Sequence, residues 1–405
     1  MWFAGIDWAD THHDIVVIDE GAKRLATRRF AHTAGGIADL IAFLKAIGDV
    51  ASQPEHLACI IETTHGVLIT ALLEAGLPVY PLNPATLQQL RSPSRAKADT
   101  IDAYLLARKG RNDLDTLTRL LPDSPIIAEL KALTRDQDGL IQMQTRLVNQ
   151  IIACLKAYYP VALSLFSKIQ QEVTMAFLLR YPTLTDARAA SVAEVEALLR
   201  QAKHPHAARK AQEIAETVQQ PQLAADPITT RTKARLLVIL LQQLQPVMDG
   251  IAVYDTEVAR LFLTHPDHDL FDGLPGAGER LAPRLLAEWG DDRQRYDSAA
   301  SVQMLGGTAP VPFQSGNFCT AHQRFSCIKP LRNVLYQFAW QSTQQEAWAK
   351  AYYHRKRTAG KTHAMAVRAL ANQWVRIIFA VWQRRVCYDR TIFLRAQAAH
   401  LPQAA

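Results

Sequence analysis

An α/β domain followed by a mostly helical remainder is the fold class this sequence predicts, on three observations. Short apolar runs alternate with helical periodicities over the first ~110 residues. Glycine then becomes sparse through a long series of amphipathic repeats and returns after Leu270. Between Ser298 and Tyr388 there are twelve Lys or Arg against a single acid, Glu346.

The elements follow in order. Trp2 to Trp8 and Ile15 to Ile18 are apolar runs joined by a polar turn, which predicts a hairpin, and Leu25 to Phe30 a third strand. Helical spacing places Ile37, Leu40, Ile41, Phe43 and Leu44 on one side of a helix. Leu57 to Ile61 is continuously apolar, as a buried central strand requires. Val67 to Glu74 is a helix ended by Gly76, and Pro78 to Leu82 another strand. With a helix over the acids near residue 100, this is the element order of an RNase H-like (RuvC-like) fold, expected over residues 1–118.

Residues 119–268 read as an α-helical coiled-coil region. Leu133, Leu140, Met143, Leu147, Ile151, Leu155 and Tyr158 form an imperfect heptad, which predicts a paired, oligomer-forming arm. Arg231 to Leu244 is a second amphipathic stretch, which Pro246 is expected to kink or end. Ser191 and Glu194 carry a capping-box signature for a helix start. Residues 269–395 read as a mostly helical domain, with 396–405 as a tail. Within it, Leu274-Pro-Gly-Ala-Gly278 resembles a helix-hairpin-helix turn, where backbone N–H groups near Gly276 and Gly278 would meet a DNA phosphate.

Composition bounds the function. At 405 residues, 49% hydrophobic and 20% charged, the chain describes a globular protein of more than one domain. No run approaches the ~18 uninterrupted apolar residues of a membrane span, and the start lacks a secretion plan. Five scattered cysteines fit a reducing compartment, so a cytoplasmic protein without a membrane partner is expected. Net charge is +7, and the segment from Ser298 to Tyr388 carries more than that total by itself. Such segregation is the footprint of a polyanion-binding surface. Arg324, Arg332, Arg355, Lys356, Arg357 and Lys361 are its candidate phosphate contacts, with Tyr352 and Tyr353 interleaved for stacking on bases.

Four acids carry the chemistry. Asp7 ends the first strand and Glu62 the buried one, where open sheets collect ligands. Asp99 and Asp102, three apart, share a helix face. Hard oxygen donors of this kind suit Mg²⁺ or Mn²⁺, and two such ions could clamp a phosphodiester. Arg91, Arg95 and Lys97 before the pair, and Arg108, Lys109 and Arg111 after it, would hold a phosphate backbone over the site. Cys319, His322 and Cys327 lack the fourth ligand of a structural zinc site.

Gly5-Ile6-Asp7, Glu62 after an apolar strand, and Lys97-x-Asp99-x-x-Asp102-Ala103 resemble the DEDD-type transposases of bacterial insertion sequences. Leu274 to Gly278, Gly306-Gly307-x-x-Pro310-x-x-x-x-Ser315-Gly316 and Leu331-Arg332-x-x-Leu335-Tyr336 extend the resemblance over most of the chain. That family includes Piv-like invertases and recombinases guided by a bridge RNA. The resemblance implies an RNase H-like domain working with a second domain whose nucleophile is a serine, here Ser315. It also implies double-stranded DNA as substrate, and in bridge-RNA systems a noncoding RNA that pairs with donor and target. Strand exchange implies a homodimer or homotetramer.

Ser315 is read as part of a loop, Val311 to Asn317, whose Gly316 permits close backbone approach. Its attack on phosphorus would form a phosphoserine link, and a free serine needs activation. His322 is the nearest candidate base in sequence. Two other readings stay open at this stage. One is a metal-dependent RuvC-like Holliday-junction nuclease using water. The other is a non-catalytic nucleic-acid-binding protein.

Overall fold

A computed structural model of the chain describes residues 1–64, 66–90, 99–315, 318–392 and 395. Arg91, Arg95, Lys97 and Gly316, expected above to serve the site, lie outside these residues, as does the tail 396–405. The chain divides into two compact units, Met1–Ser124 and Pro125–Ala405.

The first unit opens with strands β1 (Trp2–Trp8), β2 (His12–Ile18) and β3 (Arg24–Ala31), followed by helix α1 (Ala34–Lys45). Strand β4 (Leu57–Ile61), helix α2 (Val67–Glu74), strand β5 (Val79–Pro81), and helices α3 (Pro84–Leu90) and α4 (Asp99–Asp113) complete it. The mixed sheet has the order β3-β2-β1-β4-β5. Strands β2 and β3 are antiparallel additions beside β1, and β4 and β5 run parallel to it. Alternation along the strands builds two apolar layers. Ile6, Ile15, Val17 and Ile61 pack with Leu40, Leu44, Leu68 and Leu72 of α1 and α2. Phe3, Val16, Ile18 and Ile60 pack on the other face with Ala103, Leu106 and Ala107 of α4.

The second unit is built on two long helices, α5 (Pro125–Tyr158) and α11 (Pro227–Thr264). Between them come α6 (Ala162–Leu165), α7 (Glu172–Arg180), α8 (Leu184–Ala189), α9 (Val192–Gln201) and α10 (Ala207–Gln219). The Ser191–Glu194 capping box starts α9 as its sequence predicts. One core joins these small helices to Leu147–Tyr158 of α5 and Ala234–Leu244 of α11. The apolar repeat of α5 is therefore largely used inside its own chain. Pro246 lies inside α11 and does not end it. The missing N–H costs about 3 kcal/mol in a helix interior, and core residues on both sides, Leu244 and Ile251, offset it.

The remaining elements are α12 (His268–Asp272), α13 (Gly278–Trp289), α14 (Ala299–Leu305), β6 (Val311–Ser315), β7 (Phe318–His322), α15 (Lys329–Gln345), α16 (Ala347–Thr358) and α17 (His363–Arg384). They share a second core with Ile127 and Leu130 of α5 and Val258 to Phe262 of α11. The regions on either side of residue 268 thus bury a common core. Helices α11 and α17 are long and apolar enough to cross a membrane by length and composition, although no uninterrupted apolar run marks them. Helix α17 uses its apolar face to bury Trp374, Ile378 and Trp382 in the core.

Candidate nucleic-acid-processing site

The parallel register of β1 and β4 runs through Ile6↔Ile61. Asp7, still within β1, and Glu62, just past the end of β4, therefore stand at the same level. Asp7 has the parity of Phe3 and Gly5, which places it on the face covered by α4.

Helix α4 runs antiparallel to β1 across that face. A Cβ at Gly5 would coincide with the Ala103 carbonyl oxygen and crowd Leu106 and Ala107, and one at Gly110 would strike Ile60. Gly5 is thus where the strand backbone meets the helix backbone, and Gly110 where the helix backbone meets a strand side chain. Asp7 lies two residues beyond Gly5, ~6.6 Å along the strand. Asp102 and Asp99 lie roughly 4.5 and 9 Å along the helix from the middle of that contact. The two helix acids therefore bracket the level of Asp7. Asp102 is 3% exposed, in the helix's first turn where the macrodipole favours a carboxylate. The Asp99 side chain is outside those described. Among the described residues no group of three His, Cys, Asp or Glu side chains is disposed to hold a metal ion.

The structure adds residues that the sequence reading missed. Asp14 is the cross-strand partner of Asp7, and Arg29 the cross-strand partner of Asp14. Glu62, Asp7, Asp14 and Arg29 thus form one row across four strands. Asp14 is buried, and Arg29 clasps it with Nε at 3.1 Å and Nη2 at 2.7 Å. His12 Nε2 stands 3.5 Å from the same carboxylate. On the opposite face His13 Nε2 lies 2.9 Å from His32 Nδ1. Burial first, then the neighbouring His32 and His12, push the His13 imidazole down to about 4.

In the second unit, Ser315 is the last residue of β6 rather than part of a loop, and it pairs with Phe318. His322 pairs with Val311 at the other end of the hairpin. Four residues of strand, ~13 Å, separate the levels of Ser315 and His322. His322 is therefore too far away to be the base for Ser315 in the same protomer. Its ring instead meets Phe313 edge-on at 5.4 Å.

The glycine turn between α12 and α13 serves packing. Gly276 has φ +87°, and a Cβ there would lie 2.8 Å from the backbone of Gln341 in α15. Gly278, at φ +58°, is exposed with open space about it. Arg332 is half-buried, its Nη1 3.7 Å from Cys327 Sγ, and Arg324 is likewise half-buried. Arg355, Arg357 and Lys361 are exposed and Lys356 half-buried, at the end of α16 and in the turn after it. That location complements the helix dipole and presents four cations together. Beside them Trp340, Tyr353 and His363 stack edge to face at 4.9–5.8 Å.

Residues 4–160, which span the four acids, match a family model of DEDD type described as a transposase. Residues 268–354 match one described as transposase, IS116/IS110/IS902 family. The mini-circle putative transposase for IS117 of Streptomyces coelicolor is 30% identical over 411 residues, covering 100% of this chain and 98% of that one. The insertion element IS900 uncharacterized 42 kDa protein of Mycobacterium paratuberculosis is 27% identical over 396 residues, covering 96% and 97%. A 43.6 kDa protein of insertion element IS110, from Streptomyces coelicolor, is 25% identical over 327 residues, or 79% and 80%. Likeness of that degree over the full length settles the family: the chain belongs to the IS116/IS110/IS902 family of transposases.

Proposed function

We propose that this chain cleaves and rejoins DNA strands to move an insertion sequence, with a carboxylate site in an RNase H-like first unit and Ser315 as nucleophile. The observation that supports the reading is the shared level of Asp7 and Glu62 on neighbouring parallel strands, with Asp102 on the helix that crosses that face. The strand order supports a RuvC-like assignment, with the carboxylates on the central strands and on the helix that crosses them. The donor set is all carboxylate oxygen, which fits Mg²⁺ or Mn²⁺. Asp7, Glu62, Asp99 and Asp102 would hold the ion, which supplies charge stabilisation at a phosphodiester when bound.

Ser315 ends β6, and its backbone pairs with Phe318 at the start of β7. Attack of Oγ on phosphorus forms the Ser–O–P bond and breaks the P–O bond to the leaving strand, whose oxygen takes up a proton. The energy of the broken strand is kept for rejoining. Double-stranded DNA is the substrate, and the cations of α16 position it. A bridge RNA that pairs with donor and target DNA, action as a homodimer or homotetramer, and a place in the bacterial cytoplasm complete the reading.

The test compares Ser315→Ala with Asp7→Asn, assaying recombination and covalent protein–DNA adducts on denaturing gels. Loss of adducts in Ser315→Ala supports the serine. Normal cleavage by Ser315→Ala with none by Asp7→Asn would instead identify a water-using junction nuclease. Sequencing RNA that copurifies with the protein tests the guide.

A further inference from the structure

Strand β3 lies at the edge of the sheet, and residues 21–31 contain Lys23, Arg24, Arg28 and Arg29 but no acid. By register Arg29 shares the face of Asp14 and Asp7, and Arg24, opposite Ile18, shares it too. On α4, Tyr104, Arg108 and Arg111 follow one another at helical spacing along the flank that turns toward β3. Arg111 Nε donates to the Glu20 carbonyl at 2.6 Å, which fixes that flank against the β2–β3 turn.

The Tyr104 ring holds two cations at once. Arg24 Cζ is 4.0 Å and Arg108 Cζ 5.8 Å from its centroid, so the guanidiniums stand no more than about 10 Å apart. Among the described residues neither has a carboxylate partner. Lys109 and Arg29 differ in this respect, being paired with Asp113 and Asp14. An aromatic face supports each guanidinium stem and leaves the exposed N–H fork open to a ligand, which is the arrangement that receives a phosphate.

These cations lead somewhere. Five residues of β3 separate Arg24 from Arg29, ~16 Å of strand, which matches about five nucleotides at ~3.4 Å per nucleotide. Arg29 stands in the same row as the carboxylates. We infer that the exposed cations along the seam of β3 and α4 mark the track by which a DNA strand enters the acidic row, with Arg24 and Arg108 gripping its phosphates. The inference rests on the reading of the carboxylates as the DNA-processing site, and continuity with that row selects DNA over an acidic protein.

The experiment uses the full-length protein and a fluorescein-labelled random-sequence 30-bp duplex, with single-stranded RNA of equal length as the second probe. Affinity is measured by anisotropy from 50 to 300 mM KCl for wild type, Arg24→Gln/Arg108→Gln and Arg24→Lys/Arg108→Lys. Loss of two phosphate contacts should lower the slope of log K against log [KCl] on duplex DNA by about 1.8 in the Gln variant. The Lys variant should keep the wild-type slope, which separates charge from folding. Hydrogen exchange of residues 24–31 should slow when duplex DNA binds. An unchanged slope in the Gln variant would overturn the track, whatever Asp7→Asn does in cleavage. A slope that falls on RNA alone would overturn the assignment to DNA.

Discussion

Asp7 and Asp14 stand opposite each other across the β1–β2 ladder, on the sheet face that carries α4. Like charges directly opposite in a ladder repel. Asp14 is tolerated there because Arg29, its own cross-strand partner, holds both its carboxylate oxygens. The guanidinium thus offsets one of three carboxylates in a row and fixes the geometry next to Asp7. Arg29→Gln should lower stability by about 1–3 kcal/mol, less than the ~3–5 for a fully buried pair, because its side chain is 55% exposed. Adding Asp14→Asn to it should recover a large part of the loss. Urea denaturation of the two single variants and the double variant measures the coupling, and strictly additive effects would refute it.

Gly5 sets how closely α4, which carries Asp99 and Asp102, approaches β1. A methyl at this position meets the Ala103 carbonyl, a backbone atom that cannot rotate away, so α4 must shift. Gly5→Ala should cost about 3 kcal/mol or more, at the top of the usual range for overpacking. Activity should fall beyond what stability explains, since displacing α4 moves Asp99 and Asp102 from the level of Asp7. Gly35→Ala is the control. It lies in α1 with nothing near its added methyl, and should stabilise by roughly 0.5–1 kcal/mol. Equal effects of the two substitutions on thermal melting and cleavage would disprove the packing account.

How much of this was legible follows from which features are local. Asp7 and Glu62 end apolar runs, a one-dimensional signal, and the Asp99–Asp102 spacing is helical by inspection. Asp14 belongs to the same row only through the hairpin register, which links residues on two strands and is not written in either. The hairpin β6–β7 was hidden for a different reason. Gly316-Asn317 between Phe313 and Phe318 is a hairpin signal, but Pro312 argues against a strand. A two-stranded sheet has only edges, and there the missing N–H can be tolerated. The partner of the long helix was likewise undetermined, because a heptad specifies an apolar seam and not whose chain fills it.

Protonation of His13 should couple acidity to unfolding. Its imidazole is fully buried, and its pKa falls to about 4 in the folded protein from 6.5 in the open chain. Between those values the unfolded state binds a proton that the native state does not. The contribution is therefore complete above pH 6.5 and is lost as pH falls toward 4, by about 3 kcal/mol over the whole window. Denaturation midpoints at pH 7, 6, 5 and 4 should drop more steeply for the wild type than for His13→Asn. Parallel pH profiles would show that His13 is not the group responsible.

Helix α13 reads out the register of the long-helix pair through residues 280, 284 and 288, which line one face four apart. Arg280 pairs with Asp255 of α11 at 2.6 Å. Arg284 donates to Asp138 of α5 at 2.8 Å, and Glu288 accepts from Arg135 of α5 at 2.7 and 2.9 Å. Arg284 and Glu288 are only 9% and 5% exposed, so each depends on its partner in a way a surface pair does not. Asp138→Ala should cost about 3–5 kcal/mol by leaving a buried guanidinium uncompensated. Arg280→Ala should cost under ~1 kcal/mol through the ion pair with Asp255, because Arg280 is solvent-accessible. The sharper check is a charge swap: Arg135→Glu should destabilise strongly by opposing two carboxylates, and adding Glu288→Arg should restore most of the melting temperature. Failure of the swap to rescue would mean that helix packing, not these ion pairs, sets how α5 lies against α13.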